Sequence, residues 1–130
     1  MAKKKWTQPK VKYDGFVYII KIYTDQGIVN KVGTTNRTPK ARMLEIAGEL
    51  YEVLGYIPRM QMIRQKQTKD NYQIEAAVLR KTQKYRCGLG LCEWSGESEL
   101  RKMDEQELLQ VYDVCLSEGF APTTKFEVEL

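Results

Sequence analysis

"GFVYIIKIYTDQGIVNKVGTT", residues 15–35, is the stretch on which the fold turns. Residues 15–24 are mostly β-branched or aromatic and read as a strand buried on both faces. "DQG" at 25–27 supplies the turn, and residues 28–35 read as the returning strand of a hairpin. In that register Tyr18 and Lys31 lie on neighbouring strands, and a slip of one residue would send them to opposite faces. Immediately downstream, Thr38 is set to cap a helix with Pro39 at its first position. That helix is expected to bury Ala41, Met43 in part, Leu44 and Ile46 or Ala47, and to end near Gly48 or a turn later. Lys31, Arg37, Lys40 and Arg42 crowd this strand-to-helix join. The positive end of a helix dipole disfavours cations, so the cluster points to a negative ligand nearby.

Outward from the hairpin, "YEVLGYIPRMQMI" (51–63) has strand composition around Pro58, which would sit at an edge or bulge. A second helix is predicted from about Asp70 to Tyr85, with Ile74, Ala77, Val78, Lys81 and Tyr85 sharing a face. Residues 86–100 are glycine-rich and irregular, with room for a short strand. A third helix runs over 104–119, with Asp104 as cap, Glu107 three residues on and Gly119 after its last turn. The sum is an α+β fold, a small, about three-stranded, mainly antiparallel sheet flanked by helices. Residues 1–12 read as a basic flexible arm, 13–100 as the main domain, and 101–130 as a C-terminal helix and tail packed on that domain.

The chain has 130 residues, 42% apolar and 29% charged, the proportions of one soluble globular domain. No apolar run approaches the roughly 20 residues of a membrane-spanning helix. The basic start "MAKKKWTQPK" has no apolar stretch behind it and is not a secretory signal. Three cysteines, Cys87, Cys92 and Cys115, cannot all pair within the chain, which points to reduced thiols in a cytoplasmic setting. Cys87 and Cys92, without histidine partners, are a weak zinc signal and read as structural, and Cys115 falls in an apolar helix stripe. The net charge of +4 hides an asymmetry: residues 1–43 hold ten Lys/Arg against two Asp/Glu, whereas residues 93–130 hold three against ten. A basic front of this kind suits a polyanion.

"GFVYII", "KVG" with Lys31 thirteen residues after Tyr18, Arg42 in the next helix and Glu75 in a later one together resemble the GIY-YIG nuclease superfamily. The closer resemblance is to its compact phage and bacterial branch, which tends to carry lysine in the second motif and often ends on a Glu-Trp pair like Glu93-Trp94. It covers roughly residues 15–95. Phe16 stands at the first motif's glycine position, and with no histidine in the chain, Thr34 or Thr35 stands where some members place one.

The resemblance implies a GIY-YIG-type endonuclease that hydrolyses DNA phosphodiester bonds through a single-metal site. Such chemistry needs an activated water, a counter-charge for phosphate and support for the leaving oxygen. Glu75 is the implied ligand of Mg²⁺ (or Mn²⁺), a hard cation that keeps most of its waters; the plainer reading is a solvated helical glutamate. Arg42 is the implied phosphate clamp, its planar fork matching phosphate oxygens; otherwise it lies along the helix over apolar neighbours. Tyr18 is the implied base or water-orienting group, with Lys31 supplying the cation that a phenol of ordinary pKa near 10 needs for that role; core packing is the commoner fate of such a tyrosine. Tyr13, Tyr23 and Tyr56 are lesser candidates for the same pocket. Arg37, Lys40, Thr34 and Thr35 are candidate nucleic-acid contacts. Gly33 admits close approach of a phosphate or a neighbouring strand, or marks a bulge. Trp94 closes the core, and Glu93 supports Arg42 or another basic residue.

Two other readings fit the same residues. One is a nucleic-acid-binding module without catalysis, the other an interaction protein that uses its acidic part, 93–130. No base-reading element is evident, so a homodimer or a targeting protein is the partner that would supply specificity.

Overall fold

The computed structural model describes residues 14–88 and 94–118. Strands β1 (Gly15–Thr24) and β2 (Gly27–Thr35) form the predicted hairpin. Their register runs without interruption from Phe16 opposite Thr35 to Thr24 opposite Gly27, so Tyr18 faces Gly33 and Ile20 faces Lys31. Gly27 takes φ of +115° at the turn, a conformation that favours glycine. Strand β3 (Arg59–Thr68) pairs with the other edge of β1, with a bulge between Ile19 and Ile20. A two-residue strand, β4 (Leu100–Arg101), pairs with β2 and completes an antiparallel sheet in the order β3-β1-β2-β4. The fold is α+β, with four strands rather than three.

Helix α1 (Pro39–Leu54) starts as its sequence predicts, with the Thr38 side chain accepting from the Ala41 amide and Pro39 leading. It does not stop at Gly48. It runs on to Gly55, which takes φ of +85° and donates its amide to the Tyr51 carbonyl. Residues 51–54 are therefore helix, not strand, and Pro58 stands just ahead of β3. Leu44, expected in the core, is 66% exposed; Ile46, also expected there, is buried, together with Leu50. Helix α2 (Asn71–Lys81) is shorter than predicted, and a separate 3-10 turn, Gln83–Tyr85, follows it. Lys81 and Tyr85 sit outside its buried face and instead meet Glu118 and Glu107. Helix α3 (Glu105–Glu118) is capped by Asp104, whose carboxylate accepts from the Glu107 amide at 3.0 Å. The expected stop at Gly119, the tail beyond it and the arm 1–12 lie outside the described residues.

Strand alternation divides the core into two layers. Val17, Ile19 and Val32 pack against Ile74, Ala77 and Val78 of α2 and Leu108, Tyr112 and Cys115 of α3. Tyr18, Ile20, Ile22 and Val29 pack on the other face against Ile46 and Leu50 of α1, Trp94 and Leu100. The central strand is thus buried on both sides. Helix α3 is fixed by the Tyr112 hydroxyl, which donates to the Val17 carbonyl at 2.8 Å, and by an ion pair from Lys21 to Glu105 at 2.9 Å. Among the described residues, no helix is long and apolar enough to cross a membrane.

Candidate functional site

Where Tyr18 and Lys31 converge, the sheet has no side chain of its own. Gly33 lies opposite Tyr18, and a Cβ there would stand 2.5 Å from the Tyr18 hydroxyl oxygen and 2.7 Å from Lys31 Nζ. The β1–β2 register is unbroken at Gly33, so the residue marks no bulge in that pairing; it makes room for the phenol and the ammonium. Lys31 Nζ donates to the Tyr18 oxygen at 3.2 Å and to Glu99 Oε1 at 2.8 Å. Tyr18 is 0% and Lys31 1% exposed, and burial of a lysine to that degree requires these partners.

Glu99 belongs to the 3-10 turn Ser95–Glu99, one residue ahead of β4. Arg101, fully buried, fixes this segment: it donates to the Ser98 carbonyl at 3.0 Å, to Thr82 Oγ1 at 3.0 Å and to the Leu79 carbonyl at 3.2 Å. The guanidinium therefore bolts the Glu99 turn to the C-terminal end of α2, the helix that carries Glu75. Glu75 projects from the layer opposite Tyr18, yet its carboxyl shares a hydrogen bond with Glu99 and feels the Lys31 ammonium. Burial first, then the Glu99 charge, push the Glu75 pKa up to about 7, with Lys31 partly offsetting them.

Arg42 joins the cluster from α1. Its Nη1 donates to Glu45 at 3.0 Å and to Glu49 at 2.9 Å, and its charge is coupled to Tyr18. Burial acts to lower the Arg42 pKa, but the two carboxylates outweigh it and the net shift is upward. Glu49 also accepts from Trp94 Nε1 at 2.8 Å, so the buried indole braces the carboxylate that holds the arginine. This is the support expected of Glu93, which lies outside the described residues along with Cys92 and Tyr13.

Tyr18, Lys31 and Glu75 thus form a cluster joined through Glu99, and Arg42, hydrogen-bonded to Glu45 and Glu49, is tied to it only electrostatically. The remaining candidates are spread around it or away from it. Arg37 is exposed and paired with Glu45, and Lys40 is exposed two residues before Arg42. Thr35 Oγ1 accepts from the Arg37 amide at 3.1 Å, serving the turn, and Thr34 is half-buried beside Gly33. Tyr23 stacks under Arg59 and Tyr56 bonds Asp25, which places both near the hairpin turn and away from the pocket. Cys87 is half-buried and Cys115 buried, and burial raises the pKa of both thiols. Sequence reasoning missed Glu45, Glu49 and Glu99. The first two stand three and seven residues after Arg42 on one helix, a spacing that pairs charges; Glu99, 68 residues from Lys31, carries no local signal.

Glu75 and Glu99 press two carboxyl groups together in a half-buried position, which is oxygen-only chemistry suited to a hard cation. Among the described residues no group of three or more His, Cys, Asp or Glu is placed to hold an ion.

The model of the T5orf172 domain matches residues 15–116, from the first residue of β1 almost to the end of α3. The chain belongs to the T5orf172 domain family. No curated protein and no solved structure matches it significantly. The matched span of the T5orf172 domain includes both helical layers and every residue of the cluster.

Proposed function

We propose that this T5orf172 domain is an endonuclease that hydrolyses DNA phosphodiester bonds at the Tyr18–Lys31–Arg42–Glu75 cluster, by chemistry of the GIY-YIG type. The observation that supports it is the meeting of a phenol, an ammonium and a carboxyl pair around Gly33, with a guanidinium coupled to the phenol. Lys31 donates to the Tyr18 oxygen and holds the ring in place, so Tyr18 orients the attacking water; as phenolate, its own proton already released to solvent, it takes up the proton of that water. The water oxygen bonds to phosphorus in line with the leaving oxygen, whose bond to phosphorus breaks and which takes its proton from solvent. Arg42 neutralises the charge that builds on the phosphate oxygens. Glu75, with Glu99 beside it, would hold Mg²⁺ or Mn²⁺, and the cation's contribution is charge stabilisation at the leaving oxygen. Arg37 and Lys40 extend the positive surface beyond the reacting phosphate.

Nicking of supercoiled plasmid in Mg²⁺ or Mn²⁺ tests the reading. Wild type is expected to nick, and Glu75→Ala to lose at least a hundredfold in rate while keeping its fold. Equal nicking by the two proteins overturns the assignment.

A further inference from the structure

Beside the cluster, an aromatic ring stands in solvent on a built support. Tyr72, on the first turn of α2, is 56% exposed. Its hydroxyl oxygen accepts from Asn36 Nδ2 at 2.9 Å. Asn36 in turn accepts through Oδ1 from Asn71 Nδ2 at 3.4 Å, and the same Nδ2 reaches the Phe16 carbonyl at 3.5 Å. Asn71 is only 3% exposed. The amide pair occupies the space that a side chain at residue 15 would fill: a Cβ on Gly15 would collide with Asn36 Oδ1 and Asn71 Nδ2. A chain of amides thus ties an exposed ring to the start of the central strand. Tyr51 is similarly open at 53%, but it makes no side-chain hydrogen bond among the described residues.

The position of the ring bears on the site. Tyr72 and Asn71 precede Glu75 by three and four residues, so all three neighbour one another along α2. Asn36 is followed by Arg37 and, four positions on, by Lys40, both exposed. An exposed ring bonded to Asn36, one position before Arg37 (itself paired with Glu45) and four before Lys40, is of the kind that stacks a base while cations nearby in the chain meet the backbone.

We infer that Tyr72 is a stacking platform for an unpaired base, which makes the preferred substrate single-stranded or locally unpaired DNA rather than regular duplex. The inference rests on the nuclease reading for its cleavage consequence, but its binding consequence is separable. A base inside a duplex offers its face to its neighbours and not to Tyr72; an unpaired base offers it to the ring, with Arg37 and Lys40 placed for the adjoining phosphates.

The test uses the full chain in EDTA and one oligonucleotide carrying 2-aminopurine, single-stranded or annealed to its complement. Wild type is expected to bind the single strand more tightly and to quench its fluorescence. Tyr72→Leu should lose about tenfold or more in single-strand affinity, together with the quench, and stay within about twofold on duplex. Tyr72→Phe, which keeps the ring and loses the hydroxyl, should retain most of the quench. The inference is overturned if Tyr72→Leu binds single strand as wild type does, or weakens equally on both forms. Glu75-dependent nicking without any Tyr72 dependence would sink this inference alone. Tyr72-dependent single-strand binding without nicking would sink the nuclease reading alone.

Discussion

Gly33→Ala puts the geometry of the site under the most direct test. The added Cβ would stand 2.5 Å from the Tyr18 hydroxyl oxygen, 2.6 Å from Tyr18 Cζ and 2.7 Å from Lys31 Nζ. Each approach must open by about 1 Å to reach ordinary van der Waals contact. Neither neighbour can swing away cheaply. Tyr18 is fully buried in the layer that holds Ile20, Ile46, Leu50 and Trp94, and Lys31 Nζ is held between Tyr18 and Glu99. Backbone torsion adds nothing, because Gly27 and Gly55, and not Gly33, are the glycines with positive φ. Overpacking of this kind costs about 1 to 3 kcal/mol. Weakening the contacts of a buried ammonium adds to that, for a total of about 2 to 4 kcal/mol. For a domain of roughly 100 residues, at about 4 °C per kcal/mol, the melting temperature should fall by about 8 to 16 °C. Thermal unfolding followed by circular dichroism measures the drop, and plasmid nicking at a temperature where the variant is folded should show the displaced phenol as lost rate. A variant melting within a degree of wild type would refute the claim that Gly33 exists to admit Tyr18 and Lys31.

Two further expectations use the same structure. Gly48→Ala is the converse case, since a Cβ at this exposed helical position meets nothing within 4 Å; it should stabilise by about 0.5 to 1 kcal/mol, and a lower urea midpoint would contradict the reading of α1 as unbroken through residue 48. Between the ordinary glutamate pKa of 4.5 and the value of about 7 that Glu75 reaches, the native state holds a proton the unfolded chain has released. Stability must therefore fall as pH rises through that window, and the contribution is most favourable below it. The full rise corresponds to about 3 kcal/mol, which solvent screening of a half-buried carboxyl reduces to about 1 to 2 kcal/mol. Urea midpoints at pH 5 and pH 7.5 in metal-free buffer should show that loss in wild type and not in Glu75→Gln; parallel behaviour of the two proteins would contradict it.

The parts of the fold that local chemistry determines were legible in the sequence. Thr38-Pro39 and Asp104 with Glu107 mark helix starts through contacts spanning three residues, and the 15–35 hairpin fixes its own register through a short turn. The Tyr18–Lys31 contact follows from that register. Gly48 misled because a mid-helix glycine costs little beside a run of good helix formers, while the real stop, Gly55, is recognised by its left-handed conformation. Leu44 misled because an apolar residue can face water at the flank of a helix whose buried stripe is filled by Ile46 and Leu50. Glu99 was illegible for a different reason. It reaches Lys31 only because the buried Arg101 ties two distant segments together, and an arginine in a glycine-rich, acidic stretch gives no sign of that job.

The alternation of β1 has one more consequence. Tyr18 and Arg42 belong to the layer under α1, whereas Glu75 belongs to the layer under α2 and α3. On the endonuclease reading proposed above, a fragment that ends ahead of α2 holds Tyr18, Lys31 and Arg42 without Glu75, and so lacks one of the four groups the proposed reaction uses. Under that reading the site is completed only when the helix carrying Glu75 packs against the sheet, and an incomplete copy leaves nucleic acid uncut.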